Sequence, residues 1–202
     1  MRSGSRSLGA GMRIAVIGTG RIGGTLGRRW QQAGHEVTYG SRNPSPDGGP
    51  GGAPVVPIRD AIANSEVVVF AIPGPAVAEV AAEHGAALAG KVVVDATNRV
   101  GQPVVNNHAE IVAAAPDAAY ARAFNTLGWE NFADPLVDAD LFFAADPEAR
   151  ATVELLITAV GLRPQYLGSA DAVETVDSVL PLWFALVKQH GGNRKVALRV
   201  VE

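Results

Sequence analysis

The stretch RIAVIGTGRIG, residues 13–23, joins a short apolar run to a glycine-rich turn. Beyond it, Ile22, Leu26 and Trp30 recur at intervals of four residues, the spacing that places side chains on one face of a helix. The GxGxxG triplet alone is weak evidence, but a strand, this turn and a helix in this order form a dinucleotide-binding fingerprint. The stretch therefore predicts the start of a Rossmann-type fold, with an ordinary strand-to-helix turn as the alternative.

Each glycine of this turn has its own physical role. Gly18 permits the tight turn, Gly20 lets the backbone approach a pyrophosphate, and Gly23 lets the helix pack closely on the strand. The free N–H groups at the start of the helix then point toward the anion. The predicted pyrophosphate site also includes the intervening residues, Thr19, Arg21 and Ile22.

The composition limits the class of protein. The chain has 202 residues, of which 48% are hydrophobic and 18% charged, with a formal net charge of -3, values typical of a globular domain with a small annex. Cysteine is absent, which excludes disulfides, thiolate nucleophiles and cysteine-ligated metal centres, and no histidine spacing indicates another metal site. The longest run without charged residues, Val67 to Ala78, contains prolines and is too short to cross a bilayer. The mildly acidic charge disfavours a nucleic-acid partner.

The first residues carry no sign of export. Residues 1–11 contain arginines and lack the apolar segment of a secretory signal. We therefore expect a flexible leader over residues 1–11 and a cytoplasmic protein.

Short apolar runs alternate with helical segments along the chain, the pattern of a parallel sheet with crossover helices. The candidate strands cover residues 13–17, 35–40, 66–72, 91–95, 118–125 and 141–144. The candidate helices cover residues 22–34, 76–88, 147–160 and 170–190. Residues 44–57 are dense in glycine and proline and are interpreted as a mobile surface loop. The sequence thus predicts an α/β fold, a Rossmann-type doubly wound parallel sheet with a small, mainly helical C-terminal region.

The end of the second candidate strand indicates which dinucleotide is bound. NAD-binding folds place Asp or Glu there to accept hydrogen bonds from the ribose 2′-OH, but this chain has Ser41, Arg42 and Asn43. Ser41 and Asn43 can donate hydrogen bonds, and the Arg42 guanidinium can fork onto a dianionic 2′-phosphate. The pattern favours NADP, and a solvated loop role for Arg42 is the alternative.

The motifs GTGRIG (residues 18–23) and YGSRNP (residues 39–44) together resemble the NADP-binding half of the F420-dependent NADP reductase family, whose cytosolic members pass hydride between NADP and a deazaflavin. The Ser-Arg-Asn-Pro signature is also similar to the cytosolic domain of membrane metalloreductases of the six-transmembrane epithelial antigen type. The resemblance continues through AIP (71–73), VDATN (94–98), AFNTLG (123–128), GLRP (161–164) and LPL (180–182).

The resemblance implies a Rossmann domain over residues 12–125 and, over residues 126–202, a small C-terminal region for the acceptor and for a homodimer. By position, the resemblance assigns the pyrophosphate to Thr19, Gly20, Arg21 and Ile22, and the 2′-phosphate to Ser41 and Arg42. It assigns the nicotinamide end to Ile72, Pro73 and Asn98. It assigns the acceptor side to Asn125, Thr126 and Leu127. Deazaflavin-using members carry His at the positions of Ala76 and Asn125, which is a departure in this chain.

Two further features allow more than one interpretation. Asp95 stands at the carboxyl end of a strand, where it either moves a proton or caps the following turn. The apolar stripe formed by Leu180, Leu182, Trp183, Leu186 and Val187 is interpreted as core or dimer interface; alternatively, Trp183 and Phe184 border the acceptor pocket.

The sequence predicts an NADPH-dependent oxidoreductase that transfers hydride to or from a small-molecule acceptor, with the deazaflavin coenzyme F420 as the leading candidate. No catalytic triad is needed, because hydride transfer depends on a dry, oriented pocket more than on ionised side chains. Two alternatives stay open: a non-catalytic redox sensor that binds NADP, and a reductase of a small imine or carbonyl compound.

Overall fold

Eight strands form a sheet within residues 11–201, the part of the chain that this computed structural model describes. The strands are β1 Arg13–Ile17, β2 Glu36–Ser41, β3 Val55–Pro57, β4 Val67–Phe70, β5 Val92–Asp95, β6 Ala119–Arg122, β7 Asp140–Ala145 and β8 Arg163–Tyr166. The leader predicted for residues 1–11 lies outside the described residues, apart from Gly11.

The helices cover both faces of the sheet. They are α1 Arg21–Gln32, α2 Ile58–Ala63, α3 Val77–Leu88, α4 His108–Ala114, α5 Trp129–Ala133, α6 Pro147–Ala159, α7 Val173–Asp177 and α8 Val179–Gln189. Short 3-10 turns occur at Pro50–Gly52, Gly74–Ala76 and Ala170–Ala172.

The order of the strands defines where the chain changes direction across the sheet. That order is β3-β2-β1-β4-β5-β6-β7-β8, and neighbours run parallel except β6 and β7. The chain moves outward from β1 through β2 to β3, then returns so that β4 pairs with the free side of β1. The predicted doubly wound parallel sheet is confirmed, and its topological switch point lies between the carboxyl ends of β1 and β4. Open α/β sheets bind ligands at this place.

Alternate residues of β1 enter two separate cores, one on each face of the sheet. Ile14 and Val16 pack with α1 and α6, while Ala15 and Ile17 pack with α2, α3 and α4. Burial on both faces is why the parallel strands are continuous apolar runs and not alternating ones. In α1, Leu26 and Trp30 are fully buried, as their spacing predicts, and the Trp30 indole donates a hydrogen bond to the carbonyl of Leu156 in α6.

The glycine- and proline-rich segment 44–57 contains more regular structure than a surface loop. It contains the 3-10 turn Pro50–Gly52 and the edge strand β3, and Ala53 and Val55 lie in the core beside Tyr39. The glycines let this segment lie close to its neighbours: a Cβ on Gly49 would stand 2.7 Å from the Val55 side chain. Composition alone does not reveal that packing, and the interpretation of residues 55–57 as part of a mobile surface loop was wrong.

The C-terminal helical segment is also broken differently from the prediction. Residues 170–190 form a 3-10 turn and two helices, α7 and α8, which are separated at Ser178. Pro181 has no N–H to donate, and in a continuous helix its ring would clash with the carbonyl of Asp177 four residues earlier. One continuous helix is therefore disfavoured there.

The sheet continues past residue 125, because β7 pairs with β6 and β8 pairs with β7. Pro164 in β8 is tolerated because β8 is an edge strand. The division of the chain at residue 125 into two regions remains a prediction. Among residues 11–201, the helices are all too short or too polar to traverse a membrane.

Candidate cofactor site

The glycine-rich turn has the geometry that its sequence predicts. Gly18 has a φ of 113°, a backbone conformation that disfavours any side chain. A Cβ on Gly23 would lie 2.3 Å from the carbonyl oxygen of Gly18, so only glycine allows α1 to pack this closely. A Cβ on Gly20 would meet nothing within 4 Å. The space over Gly20 is therefore open, as a bound pyrophosphate requires.

The N-terminus of α1 faces this open space. Its first turn contains no acidic residue, and Gly20 at the N-cap has no side chain to satisfy the first N–H groups. Unpaired N–H groups and the helix dipole make such an end favourable for an anion. Thr19 and Arg21 are exposed on either side of Gly20, and Ile22 is half-buried against the core.

The end of β2 carries three polar side chains, and two of them are exposed to solvent. The Ser41 hydroxyl accepts a hydrogen bond from the backbone N–H of Asn43 at 3.0 Å, which fixes the turn after the strand. Arg42 and Asn43 are exposed, and the Arg42 guanidinium forms no ion pair or hydrogen bond with any of residues 11–201. A free guanidinium beside a helix N-terminus is a favourable setting for a phosphate.

A groove of about 180 Å³ connects these features at the switch point. We call it the switch-point groove; its walls include Gly18, Thr19, Ser41, Arg42, Asn43, Ile72 and Pro73. None of its lining residues carries a carboxylate. The groove thus brings together Gly18 and Thr19 of the predicted pyrophosphate site, the three predicted 2′-phosphate residues, and Ile72 and Pro73 of the predicted nicotinamide site. The other predicted cofactor residues do not line it: Gly20, Arg21, Ile22, Gly23 and Asn98.

Asn98 belongs to a buried polar cluster beside the groove. Its side-chain nitrogen donates to the backbone carbonyl of Asn125 at 2.7 Å, and its side-chain oxygen accepts from Arg122 at 2.8 Å. Both ends of the amide are therefore used within the chain. A Cβ on Gly74 would lie 2.7 Å from the Asn98 carbonyl oxygen, so the loop that follows Pro73 lies directly against Asn98.

Arg122 is the centre of this cluster and is fully buried at the end of β6. Its guanidinium lies 3.3 Å from a carboxylate oxygen of Asp95 and 2.7 Å from one of Asp177, and it also donates to the backbone carbonyls of Asp95 and Thr97. We call the three residues the Asp95–Arg122–Asp177 cluster. Each charged group of the cluster thus has an oppositely charged neighbour and hydrogen-bond partners, which buried charged groups require.

Asp95 has a structural role in this arrangement. One of its carboxylate oxygens accepts from the backbone N–H and the hydroxyl of Thr97, at 3.0 and 2.6 Å, and the other accepts from the backbone N–H of Asn107 at 2.9 Å. Of the two interpretations of Asp95, capping of the turn is the one that these contacts support.

The predicted acceptor residues are buried inside the chain. Asn125, Thr126 and Leu127 retain 2%, 1% and 7% of their surface. The side-chain nitrogen of Asn125 donates to Asp177 at 3.1 Å, whereas its side-chain oxygen has no partner among the described residues. Phe124, just before them, has a φ of 62°, a strained conformation of the kind that accumulates at functional sites.

This segment also lies beside the glycine-rich turn. The Trp129 ring, at the start of α5, is 5.9 Å from the guanidinium carbon of Arg21. The motif after β6 and the motif after β1 are therefore neighbours in space, as a common site requires.

Two tyrosines near the site remain neutral phenols at physiological pH. Burial, reinforced by the negative charge of Asp95, raises the pKa of Tyr120 well above its ordinary value. Burial also raises the pKa of Tyr39 to about 12. Neither phenol is therefore poised to lose a proton near neutral pH.

The apolar stripe in the last helix divides between core and surface. Leu180, Trp183 and Val187 are buried, which supports the core interpretation for them, and the Trp183 indole donates to the carbonyl of Val196 at 2.8 Å. Leu182 and Phe184 are exposed by 50% and 42%.

Sequence reasoning missed Arg122 and Asp177. Arg122 could have been found as a charged residue in a largely apolar strand. That strand ends at the same edge of the sheet as the strand that carries Asp95. Asp177 carried no comparable signal, because its partner lies 55 residues earlier in the sequence.

Fold and site together define a dinucleotide-binding α/β protein, and comparisons with known proteins narrow this class. Residues 13–99 match the family described as "NADP oxidoreductase coenzyme F420-dependent". The chain is similar to the metalloreductase STEAP3 of Rattus norvegicus, with 27% identity over 85% of this chain and 38% of that protein. It thus spans less than half the length of this curated relative.

Solved structures give the same result for the fold. A protein from Arthrobacter sp. FB24, provisionally named an F420-dependent NADP reductase, superposes with a TM-score of 0.82 at 26% identity, covering 95% of this chain and 100% of that one. A reductive aminase from Aspergillus terreus, in complex with NADPH and ethyl-5-oxohexanoate, has a TM-score of 0.67 at 22% identity, covering 91% of this chain and 64% of that one. The second likeness is one of fold alone.

Residues 13–99 are thus similar to the F420-dependent NADP oxidoreductase family, and a solved structure with the same designation shares the fold of nearly the whole chain. The recognition made from GTGRIG and YGSRNP is confirmed, and so is the predicted class of NADP-dependent oxidoreductases.

Proposed function

We propose that this protein transfers hydride between NADP(H) and a small acceptor, with a deazaflavin as the leading acceptor. The observation that carries the proposal is the unpaired Arg42 guanidinium, which lies in a groove without carboxylates beside the open N-terminus of α1. A dinucleotide with a 2′-phosphate satisfies both positive features at once, whereas one with a free 2′-OH leaves Arg42 without a partner.

The residues of the groove divide the cofactor among them. Backbone N–H groups of the glycine-rich turn hold the pyrophosphate over Gly20, where the space is open. Ser41, Arg42 and Asn43 bind the 2′-phosphate, and Ile72 and Pro73 give the nicotinamide an apolar wall. The bound nicotinamide then supplies or accepts two electrons and one proton as a hydride.

The buried segment after β6 orients the reacting end. The side-chain oxygen of Asn125 is buried without a partner among the described residues, and its exposure on ligand binding would let it accept a hydrogen bond from an amide or imide N–H of the nicotinamide or the acceptor. Asp177 holds the other end of that amide, which fixes which atom is offered. Close, oriented placement is the main contribution that hydride transfer needs from a protein.

Two observations support a deazaflavin as the acceptor. The matching family is described by its dependence on F420, and the Arthrobacter protein that covers 95% of this chain carries the same designation.

The test is to mix the protein with NADPH or NADH and oxidised F420, flavins, quinones or small imines, and to follow the loss of reduced nicotinamide. We expect NADPH to be oxidised in the presence of F420, and NADH much more slowly. Turnover only with an imine would replace the deazaflavin by a small imine as the acceptor. Tight NADPH binding without turnover on any acceptor would overturn the transfer activity in favour of a redox sensor.

A further inference from the structure

The wall of the switch-point groove continues into a second pocket around Arg42. This pocket has a volume of about 320 Å³ and includes Ser41, Arg42, Ile58, Arg59, Glu83 and His84 in its lining. Ser41, Arg42 and Ile58 line both pockets, so the two are continuous at the end of β2. Side chains that line the second pocket are therefore close to a phosphate that Arg42 binds in the switch-point groove.

We propose that Arg59 is a second cation for the 2′-phosphate and contributes to the choice of NADP over NAD. This inference rests on the proposed function, since it assigns a specificity residue to the same cofactor site.

The register of the sheet places Arg59 beside Arg42. Ser41, the last residue of β2, pairs with Pro57, the last residue of β3. Arg42 therefore follows one strand end and Arg59 lies just beyond the neighbouring strand end, at the same edge of the sheet. Parallel strands lie about 5 Å apart, a separation that two arginine side chains can bridge with one phosphate between them.

Arg59 is free to reorient. In this structure its guanidinium lies 3.3 Å from the adjacent Asp60, and the two side chains are 79% and 48% exposed. An exposed pair of this kind contributes little to stability, so a dianionic phosphate can displace Asp60 as the partner.

The charges that line the pocket favour an anion overall. Arg42 and Arg59 are positive and Glu83 is the only carboxylate in the described lining. Glu83 is itself 3.7 Å from His84 and 70% exposed, so its repulsion of a phosphate is screened by solvent. A ribose with an uncharged 2′-OH gains less from this arrangement than one with a 2′-phosphate does.

The experiment compares Arg59→Gln with Arg59→Lys and with Arg199→Gln. Arg199 is also exposed and lies 3.4 Å from an exposed Asp138, so its replacement makes the same change in net charge away from the pocket. The ligands are NADPH and NADH, with adenosine 2′,5′-bisphosphate and AMP as fragments that differ only in the 2′-phosphate. Binding is measured by calorimetry at low and moderate salt.

We expect Arg59→Gln to weaken NADPH and the bisphosphate by about three- to tenfold and to reduce the salt dependence of both. NADH and AMP should change by less than about twofold, and Arg59→Lys should retain most of the native affinity. An Arg59→Gln protein that matches Arg199→Gln on all four ligands would overturn the assignment of Arg59.

The outcomes separate this inference from the proposed function. The unmodified protein could bind NADPH more tightly than NADH and yet fail to oxidise NADPH with any of the acceptors. The proposed hydride transfer would then be wrong, while the binding measurements would still test the role of Arg59. If the unmodified protein shows no preference for the 2′-phosphate ligands, both the proposed cofactor and the role of Arg59 are wrong.

Discussion

Two arginines at the carboxyl edge of the sheet have opposite surroundings. Arg42 follows β2, is exposed and has no partner among residues 11–201. Arg122 is the last residue of β6 and is fully buried, and each nitrogen of its guanidinium donates a hydrogen bond to an acceptor of the chain. The difference teaches that position at a ligand-binding edge does not by itself make a residue a ligand contact. What distinguishes the two is whether folding already satisfies the charge.

The same contrast separates the two halves of this edge. The half around β1 and β2 is open and keeps hydrogen-bonding groups unused, while the half around β5 and β6 is closed and its polar atoms are largely paired. The open half is suited to bind a cofactor, and the closed half holds the neighbouring loops and α7 in place.

The largest effect is expected from Arg122→Met. Removing the guanidinium leaves the carboxylates of Asp95 and Asp177 buried without a cation, which costs about 3–5 kcal/mol of unfolding free energy. For a chain of this size that lowers Tm by roughly 6–20 °C. Urea and thermal unfolding measure it directly.

Arg42→Met is the matched control for that change. Because Arg42 is exposed and unpaired, its loss should alter the free energy of unfolding by no more than about 0.5 kcal/mol. Equal destabilisation by the two variants would contradict the contrast between the halves.

The next effect concerns the open half. Gly20→Val should lower NADPH affinity by about a hundredfold or more, because the side chain occupies the open space over the turn. The fold should persist, since φ of -69° and ψ of -171° are compatible with valine. Calorimetric titration with NADPH and a circular dichroism spectrum check both parts.

Gly23→Val separates binding from packing in the same turn. Its Cβ would collide with the Gly18 carbonyl oxygen at 2.3 Å, so this variant should lose stability as well as binding. Unchanged NADPH affinity in Gly20→Val would show that the turn does not hold the pyrophosphate.

The smallest expected effect is on the pH dependence of stability, and it comes from His35, at the amino ends of the strands. Burial lowers the pKa of His35, whose Nδ1 accepts a hydrogen bond from the backbone N–H of Met12. The unfolded chain therefore takes up this proton first, at its ordinary pKa of 6.5, and stability falls as the pH drops through that value. Since His35 is partly exposed, the drift is small.

His35→Gln should remove that contribution. The difference in Tm between the native protein and the variant is then expected to change between neutral pH and a pH below 6.5. A difference that stays constant over this range would show that His35 has the same pKa in both states.

The sequence predicted the open half better than the closed half, for a physical reason. Gly18, Gly20 and Gly23 act through local backbone geometry, and Ser41 and Arg42 lie at the end of a well-marked strand. Such features need no distant partner. The Rossmann-type sheet followed from the same local signals.

The closed half depends on contacts between distant parts of the chain. Arg122 donates hydrogen bonds to the backbone carbonyl of Asp95, which lies 27 residues earlier, and to the carboxylate of Asp177, which lies 55 residues later. A single sequence does not reveal such pairs. The strand β3 was missed for a related reason, because Ala53 and Val55 are buried by Tyr39 despite their glycine- and proline-rich surroundings. Pairing and burial, not local propensity, decided these elements.

The most direct test of the account is the dissociation constant of NADPH and of NADH for the native protein and for Arg42→Ala, all at one ionic strength. A charge-assisted hydrogen bond contributes about 1.5–3 kcal/mol, so Arg42→Ala should weaken NADPH by roughly ten- to a hundredfold and leave NADH nearly unchanged. Added salt should also reduce the native preference for NADPH, because Arg42 is exposed. Equal losses for NADPH and NADH would contradict the claim that Arg42 reads the 2′-phosphate.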